Sequence, residues 1–385
     1  MANATGPEKL VLDGRQRAHA SEPGRLDAFL PTPAVQNHSA NLLALANGDL
    51  ACVWFGGTQE GLPDISIHIS RLAVGANQWT AAVKLDDNPA RSEQNPILFQ
   101  AARDELWLLY TSQHFGNQDT AIVRCRTSGD NGRTWSAART LLDQPGTFVR
   151  QPLRVRANGD WLLPVFHCRA LAGIAWTGDA DTSAAMISRD RGHSWSEHPV
   201  PSSLGMVHMN IVEAGGGELL ALYRSRWADH IHASRSLDGG DTWSAPEPTP
   251  LPNNNASIQA TRLGDGRIAL AYNASSKADA TGRRNSLYDD IEEGSGAGAA
   301  TPAGRAFWGA PRAPLCLALS ADGGRSWGAP RVIDSSDGYC ITNNSKDKLN
   351  RELSYPSIVE TADGRLHIAF TYFRQAIKHV SLPSP

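Results

Sequence analysis

Cysteine is scarce and unpaired in pattern. Cys52, Cys125, Cys168, Cys316 and Cys340 are odd in number, far apart and never in a C-x-x-C pair, which argues against a disulfide framework and a structural zinc site. Buried free thiols are the expectation. Charge of one sign is also missing: 36 basic and 39 acidic residues among 385 leave a net charge of −3. Neither nucleic acid nor an anionic membrane is therefore an expected partner, and a charged ligand must be met locally. No apolar run approaches membrane-spanning length, and the opening MANATGPEKLVLDGRQRAHA lacks the apolar centre of a secretory signal. A cytoplasmic location is the expectation. No phosphate loop, G-x-S-x-G elbow or zinc motif stands out, so no cofactor or metal is expected. Helical periodicity is absent. Short runs rich in Val, Ile, Leu, Trp and Tyr alternate with Gly, Asp, Asn and Pro turns, the pattern of an all-β chain.

What is present is repetition. The pattern S-x-D-x-G-x-[ST]-W occurs four times, from Ser128 to Trp135, Ser188 to Trp195, Ser236 to Trp243 and Ser320 to Trp327. Its chemistry is that of a hairpin turn: the Asp carboxylate accepts from turn amides, Gly takes a left-handed conformation and Trp packs beneath. Four copies of one turn serve a repeated scaffold, not a single active site, so Asp130, Asp190, Asp238 and Asp322 are structural. A second signal runs further. Turn-then-strand segments recur around Gly48, Asp104, Gly159, Gly217, Gly266 and Gly364, at intervals of 56, 55, 58, 49 and 98 residues. Six such units predict a six-bladed β-propeller of four-stranded blades in one domain, residues 1–385, with an insertion at about 275–312 in the fifth blade.

Asp boxes at this density resemble the sialidase superfamily over residues 30 to 380. The resemblance implies a sialidase-type propeller, three arginines that clamp a substrate carboxylate, an Asp acid/base on a first-blade loop, and a Tyr nucleophile activated by Glu. By distance from local landmarks, Arg224 matches the second arginine, Arg312 the third, Tyr355 the nucleophile and Asp64 the acid/base. Two positions depart from the pattern: His38 stands where the first arginine would be, and His208 where the Glu would be. A histidine can accept the phenolic proton, but it cannot reproduce the bidentate, permanent charge of a guanidinium. A terminal acidic sugar other than ordinary sialic acid is the expected substrate.

Arg150, Gln151, Asn210 and Asn254 precede or open the inner strands of their blades, where a propeller channel receives ligands, and are expected to recognise hydroxyls. Each assignment has a competing structural reading. Arg224 and Arg312 are then inter-strand ion pairs, Asp64 a turn cap, His38 and His208 core histidines, and Tyr355 a packed strand aromatic. His68, His230 and His232 give only a weak metal signal. Three functions follow: an exo-acting glycoside hydrolase; a lyase cleaving a uronate-containing glycan, similar to propeller lyases of rhamnosyl-glucuronate linkages; and a sugar-binding propeller without turnover. A carbohydrate partner is common to all three, and a homo-oligomer is compatible with each.

Overall fold

The computed structural model describes residues 10–85, 88–171, 176–282, 305–340 and 351–385. These form six antiparallel sheets, one per blade. Blade 1 runs Gln36–Ala44, Leu50–Gly57, Ser66–Leu72 and Val83–Lys84. Blade 2 runs Ser92–Gln100, Leu106–His114, Asn117–Ser128 and Arg139–Leu142. Blade 3 has a divided inner edge, Thr147–Phe148 and Arg154–Val155, followed by Trp161–His167, Thr182–Ser188 and Ser196–Pro199. Blade 4 runs Met206–Gly215, Glu218–Ser225, His230–Ser236 and Glu247–Pro252, and blade 5 runs Gln259–Arg262, Ile268–Asn273, Leu315–Ser320 and Arg331–Asp334. Blade 6 combines Leu353–Glu360, Arg365–Tyr372 and Ala376–Pro383 with Leu26–Phe29 and Arg17–Ala18 from the other end of the described chain. That pairing closes the ring, since Leu26 to Phe29 lie in register with Ser381 to Lys378.

All six turn-then-strand signals fall between the first and second strands of a blade. The four Asp boxes fall between the third and fourth strands of blades 2 to 5. In each, the Ser hydroxyl donates to its Asp and accepts from the Gly amide, while the Thr or Ser two residues after the Gly donates both amide and hydroxyl to the carboxylate. These bonds hold the carboxyls low, at about 2 for Asp190, so the aspartates are built into the turns.

The core has no single centre. Six apolar clusters each fill the seam between two neighbouring blades, as where Val53, Phe55 and Ile67 meet Leu98, Leu108 and Tyr110. Each fully buried Leu, Ile or Phe contributes about 1.5–3 kcal/mol. Near the axis every seam also carries a hydrogen bond from side chain to backbone. Asn41 accepts from Leu98 N, Thr111 from Val149 N, Asn210 from Ala260 N, Gln259 from Ile358 N and Ser357 from Leu42 N, and Arg154 donates to the Ile211 carbonyl. This belt fixes the blades around the channel. All five cysteines are buried and none forms a disulfide.

Candidate active site

Five inner edges share a local device. Ser39, Asn95, His208, Asn255 and Tyr355 have positive φ, between 50 and 62°, and in blades 1, 2, 4 and 6 the strand register shifts at that point. A bulge re-aims one side chain out of the regular alternation. Repeated around the ring, on the face opposite the Asp boxes, it collects side chains at the channel mouth. The left-handed conformation of a bulky residue such as Tyr355 costs roughly 1–2 kcal/mol, so the surrounding contacts hold it there.

Tyr355 is the hub. Its hydroxyl accepts from Arg224 Nη1 at 2.5 Å, and the guanidiniums of Arg150, Arg224 and Arg312 lie 5.5, 5.7 and 5.7 Å from its ring centre. His38 packs on the ring at 4.1 Å and His208 meets it edge-on at 5.7 Å. Arg224 Nη1 also reaches His208 Nε2 at 3.4 Å. Because arginine only donates, Nε2 accepts, and the neutral imidazole carries its proton on Nδ1. That Nδ1 is buried with no hydrogen-bond partner among the described residues. Burial, reinforced by Arg224 and Arg226, holds His208 well below the usual histidine range; it is neutral at pH 7.

Five buried guanidiniums surround this point, and they divide into two kinds. Arg226 pairs with Asp181 at 2.7 Å, Arg312 with Glu352 at 2.7 Å, and Arg374 with Glu352 at 2.8 Å and Glu60 at 2.5 Å. Burial alone would lower these three, but the carboxylates outweigh it and hold each above the ordinary arginine value. Arg150 and Arg224 have no carboxylate partner among the described residues. Burial pushes them down to about 10 and about 9. In Glu352 burial pushes the carboxyl up, yet Arg374 and Arg312 hold it well below the usual range.

The expected site residues are thus sorted by what they touch. Tyr355, Arg224, Arg312 and His208 come together. His38 lies beside Tyr355, but its Nδ1 bonds Thr371 at 2.7 Å and its Nε2 meets Arg374 at 3.4 Å. Both nitrogens are used by protein, so it packs as a satisfied core histidine. Arg374, on the turn between the second and third strands of blade 6, brings a guanidinium to the corner that His38 leaves without one. Asp64 stands on an exposed blade 1 loop, where its Oδ2 accepts from the amide and hydroxyl of Thr58 at 2.7 and 2.5 Å. Arg150 donates Nη2 to the carbonyls of Ala40, Tyr355 and Pro356. Gln151 and Asn210 bond each other and blade 5, completing the inter-blade belt. Asn254 donates to Ser275 and to the Pro311 carbonyl, and its buried Oδ1 has no partner among the described residues.

Glu352, Arg374, Glu60, Arg226 and Asp181 escaped the sequence reading. Glu352 stands three residues before Tyr355 and had a local signal; the others come from turns and strand ends with none. The chain between Asn273 and Leu315 contributes as well. Its residues 283–304 lie outside the described residues, but Arg305 and Ala306 bond Asp179, Trp308 bonds the Thr177 carbonyl, and Asn255 holds the Phe307 carbonyl. Trp308 thereby lies 5.7 Å from the Arg224 guanidinium and 5.3 Å from that of Arg226.

Six blades, four of them with an Asp box, around a tyrosine and arginine cluster define a propeller of the sialidase fold. The chain belongs to the BNR repeat-like domain family, which it matches over residues 48–368. Among solved structures it is similar to the Hadza microbial sialidase Hz136, with 13% identity, a TM-score of 0.67 and coverage of 91% of this chain and 66% of that one. It is similar to a protein of unknown function from Dyadobacter fermentans, at 16% identity and TM-score 0.67, covering 94% of this chain and all of that one. Trypanosoma rangeli sialidase in complex with sialic acid gives 13% identity and TM-score 0.62 over 98% of this chain and 59% of that one. The chain thus spans just under two thirds of the first sialidase and less of the second. No curated protein matches it.

Proposed function

We propose that the protein is an exo-acting glycoside hydrolase for a terminal acidic sugar, with Tyr355 as its reacting group. One observation carries the reading: Arg224, a buried cation without a carboxylate partner among the described residues, sits on the Tyr355 hydroxyl. An uncompensated buried charge is costly, and a ligand carboxylate at this point offsets it. Arg312 is already neutralised by Glu352, so it orients the ligand while Arg224 supplies the attraction. The binding propeller without turnover does not account for a phenol bonded this way.

In the proposed reaction the Tyr355 oxygen attacks the anomeric carbon as the glycosidic bond breaks, and a carboxylic acid protonates the departing oxygen. Asp64 is the residue proposed for that acid, released from Thr58 when the ligand enters. The phenolic proton passes to His208 Nε2, which shares Arg224 Nη1 with the Tyr355 hydroxyl. In the free protein Arg224 and burial oppose a charged imidazole; a ligand carboxylate on Arg224 removes part of that opposition. Water then releases the sugar from Tyr355.

The neutral His208 beside Arg224 also suits β-elimination, in which Arg224 neutralises a uronate carboxylate, His208 removes the adjacent C–H proton, and Tyr355 donates its proton to the departing oxygen as the C–O bond breaks and the C=C bond forms. The test is a panel of chromogenic sialosides, uronides and neutral glycosides together with acidic oligosaccharides, with products read by mass and ultraviolet absorbance. Hydrolysis of acidic glycosides is expected. Unsaturated uronate products would replace the hydrolase with the lyase, and turnover confined to neutral sugars would eliminate both.

A further inference from the structure

Arg150 poses a separate problem of charge. It rises from the break in the inner edge of blade 3 and is 1% exposed. One of its nitrogens, Nη2, meets three carbonyls from blades 1 and 6, those of Ala40, Tyr355 and Pro356, at 3.1, 3.2 and 3.2 Å. Its Nε and Nη1 have no hydrogen-bond partner among the described residues. Beside Ala40, Asn41 spends its Oδ1 on Leu98 N and leaves Nδ2 as another buried, unpartnered donor. Cys52 lies near enough to feel the charge, but burial pushes its thiol far up, so it is not a thiolate counter-ion.

The region is thus rich in donors and lacks negative charge. A water molecule can accept the open N–H groups, but it leaves the cation uncompensated in a low-dielectric interior. A small anion answers both needs. The ligand carboxylate proposed above does not, because Arg224 meets Tyr355 at its hydroxyl while Arg150 meets it at its backbone carbonyl.

We propose that the buried donors of Arg150 bind a small inorganic anion of halide size, held by Nε and Nη1 and separate from the ligand position at the Tyr355 hydroxyl. This inference stands whether or not the protein cleaves glycosides. The anion balances the charge of the side chain that joins blades 1, 3 and 6 under Tyr355.

Wild-type crystals soaked in sodium bromide test it by anomalous scattering. The expected result is a bromide peak within about 3.5 Å of Arg150 Nη1, retained when free glucuronate is added to the soak. Peaks confined to exposed arginines, an adventitious ion only, would overturn the proposal. So would a scatterer at Arg150 without anomalous signal, which is a water, or displacement of bromide by glucuronate, which would make this the carboxylate site. In solution, replacing gluconate by chloride at constant ionic strength is expected to raise Tm by roughly 2 °C. Arg150→Met, or Arg150→Lys where the first variant does not fold, is expected to abolish that difference; an equal chloride effect in the folded variant counts against the site.

Discussion

Arg312 and Arg224 approach the same tyrosine ring at 5.7 Å, yet among the described residues only Arg312 of the two has a carboxylate partner, Glu352 at 2.7 Å. The two arginines therefore respond oppositely to replacement. Arg312→Met leaves Glu352 with Arg374 as its remaining strong partner, and breaking a buried pair costs about 3–5 kcal/mol. Arg224→Met removes an unpaired buried cation and is expected to leave stability unchanged or raised, while kcat/KM toward an acidic glycoside falls about 100- to 1000-fold. Urea denaturation of both variants checks the contrast. Equal destabilisation would show that Arg224 has a structural counter-charge.

Tyr355→Phe removes one hydroxyl and keeps the packing against His38. Stability is expected to change by less than about 1.5 kcal/mol, while hydrolysis falls at least about 100-fold. Full activity in this variant eliminates Tyr355 as the reacting group.

His208→Gln and His208→Phe separate base from packing. If His208 Nε2 takes the phenolic proton, both lower kcat with little effect on KM, and the acidic limb of the pH-rate profile changes. Loss confined to KM would assign His208 to ligand recognition through its open Nδ1.

Acid should destabilise the fold through its buried histidines. Burial lowers His38, His208 and His379 well below 6.5, and His367 to about 4. Their neutral state supports folding fully above pH 6.5. As pH falls below that value the unfolded chain binds protons first, so stability declines by up to about 1.4 kcal/mol per pH unit for each histidine. For His367 the decline ends near pH 4. Glu352 adds to it below its unfolded value of about 4.3. Denaturation midpoints from pH 8 to 4 test this, and a flat profile between 6.5 and 5 would contradict neutral burial.

Gly324 in the blade 5 Asp box has φ +80°, and a Cβ there would lie 2.3 Å from Leu220 Cδ2. Gly324→Ala is expected to cost roughly 2–3 kcal/mol. Activity of the folded variant should be unchanged, because this turn lies on the face away from Tyr355. A loss of kcat without loss of stability would contradict that separation.

The propeller was legible in the sequence because its signals are local: Gly48, Gly159 and Gly364 mark hairpin turns wherever the chain goes, and each Asp box completes its bonds within eight residues. The same locality removed the four Asp-box aspartates from the candidate acids. The sequence also singled out Tyr355, Arg224 and Arg312 by their distances from such turns, and the structure brings the three side chains together. What the sequence could not assign was charge. Arg150, Arg224, Arg312 and Arg374 are the same residue type, and nothing beside them in the chain says that Glu352 and Glu60 pair with Arg312 and Arg374 while Arg150 and Arg224 have no carboxylate partner among the described residues. Nor could it show that His38 has both nitrogens occupied or that Gln151 belongs to the inter-blade belt. Those facts depend on partners up to 336 residues away, brought together only when six blades close around one axis. Turn chemistry is a property of neighbouring residues, whereas the electrostatics of a buried site belong to the assembled ring.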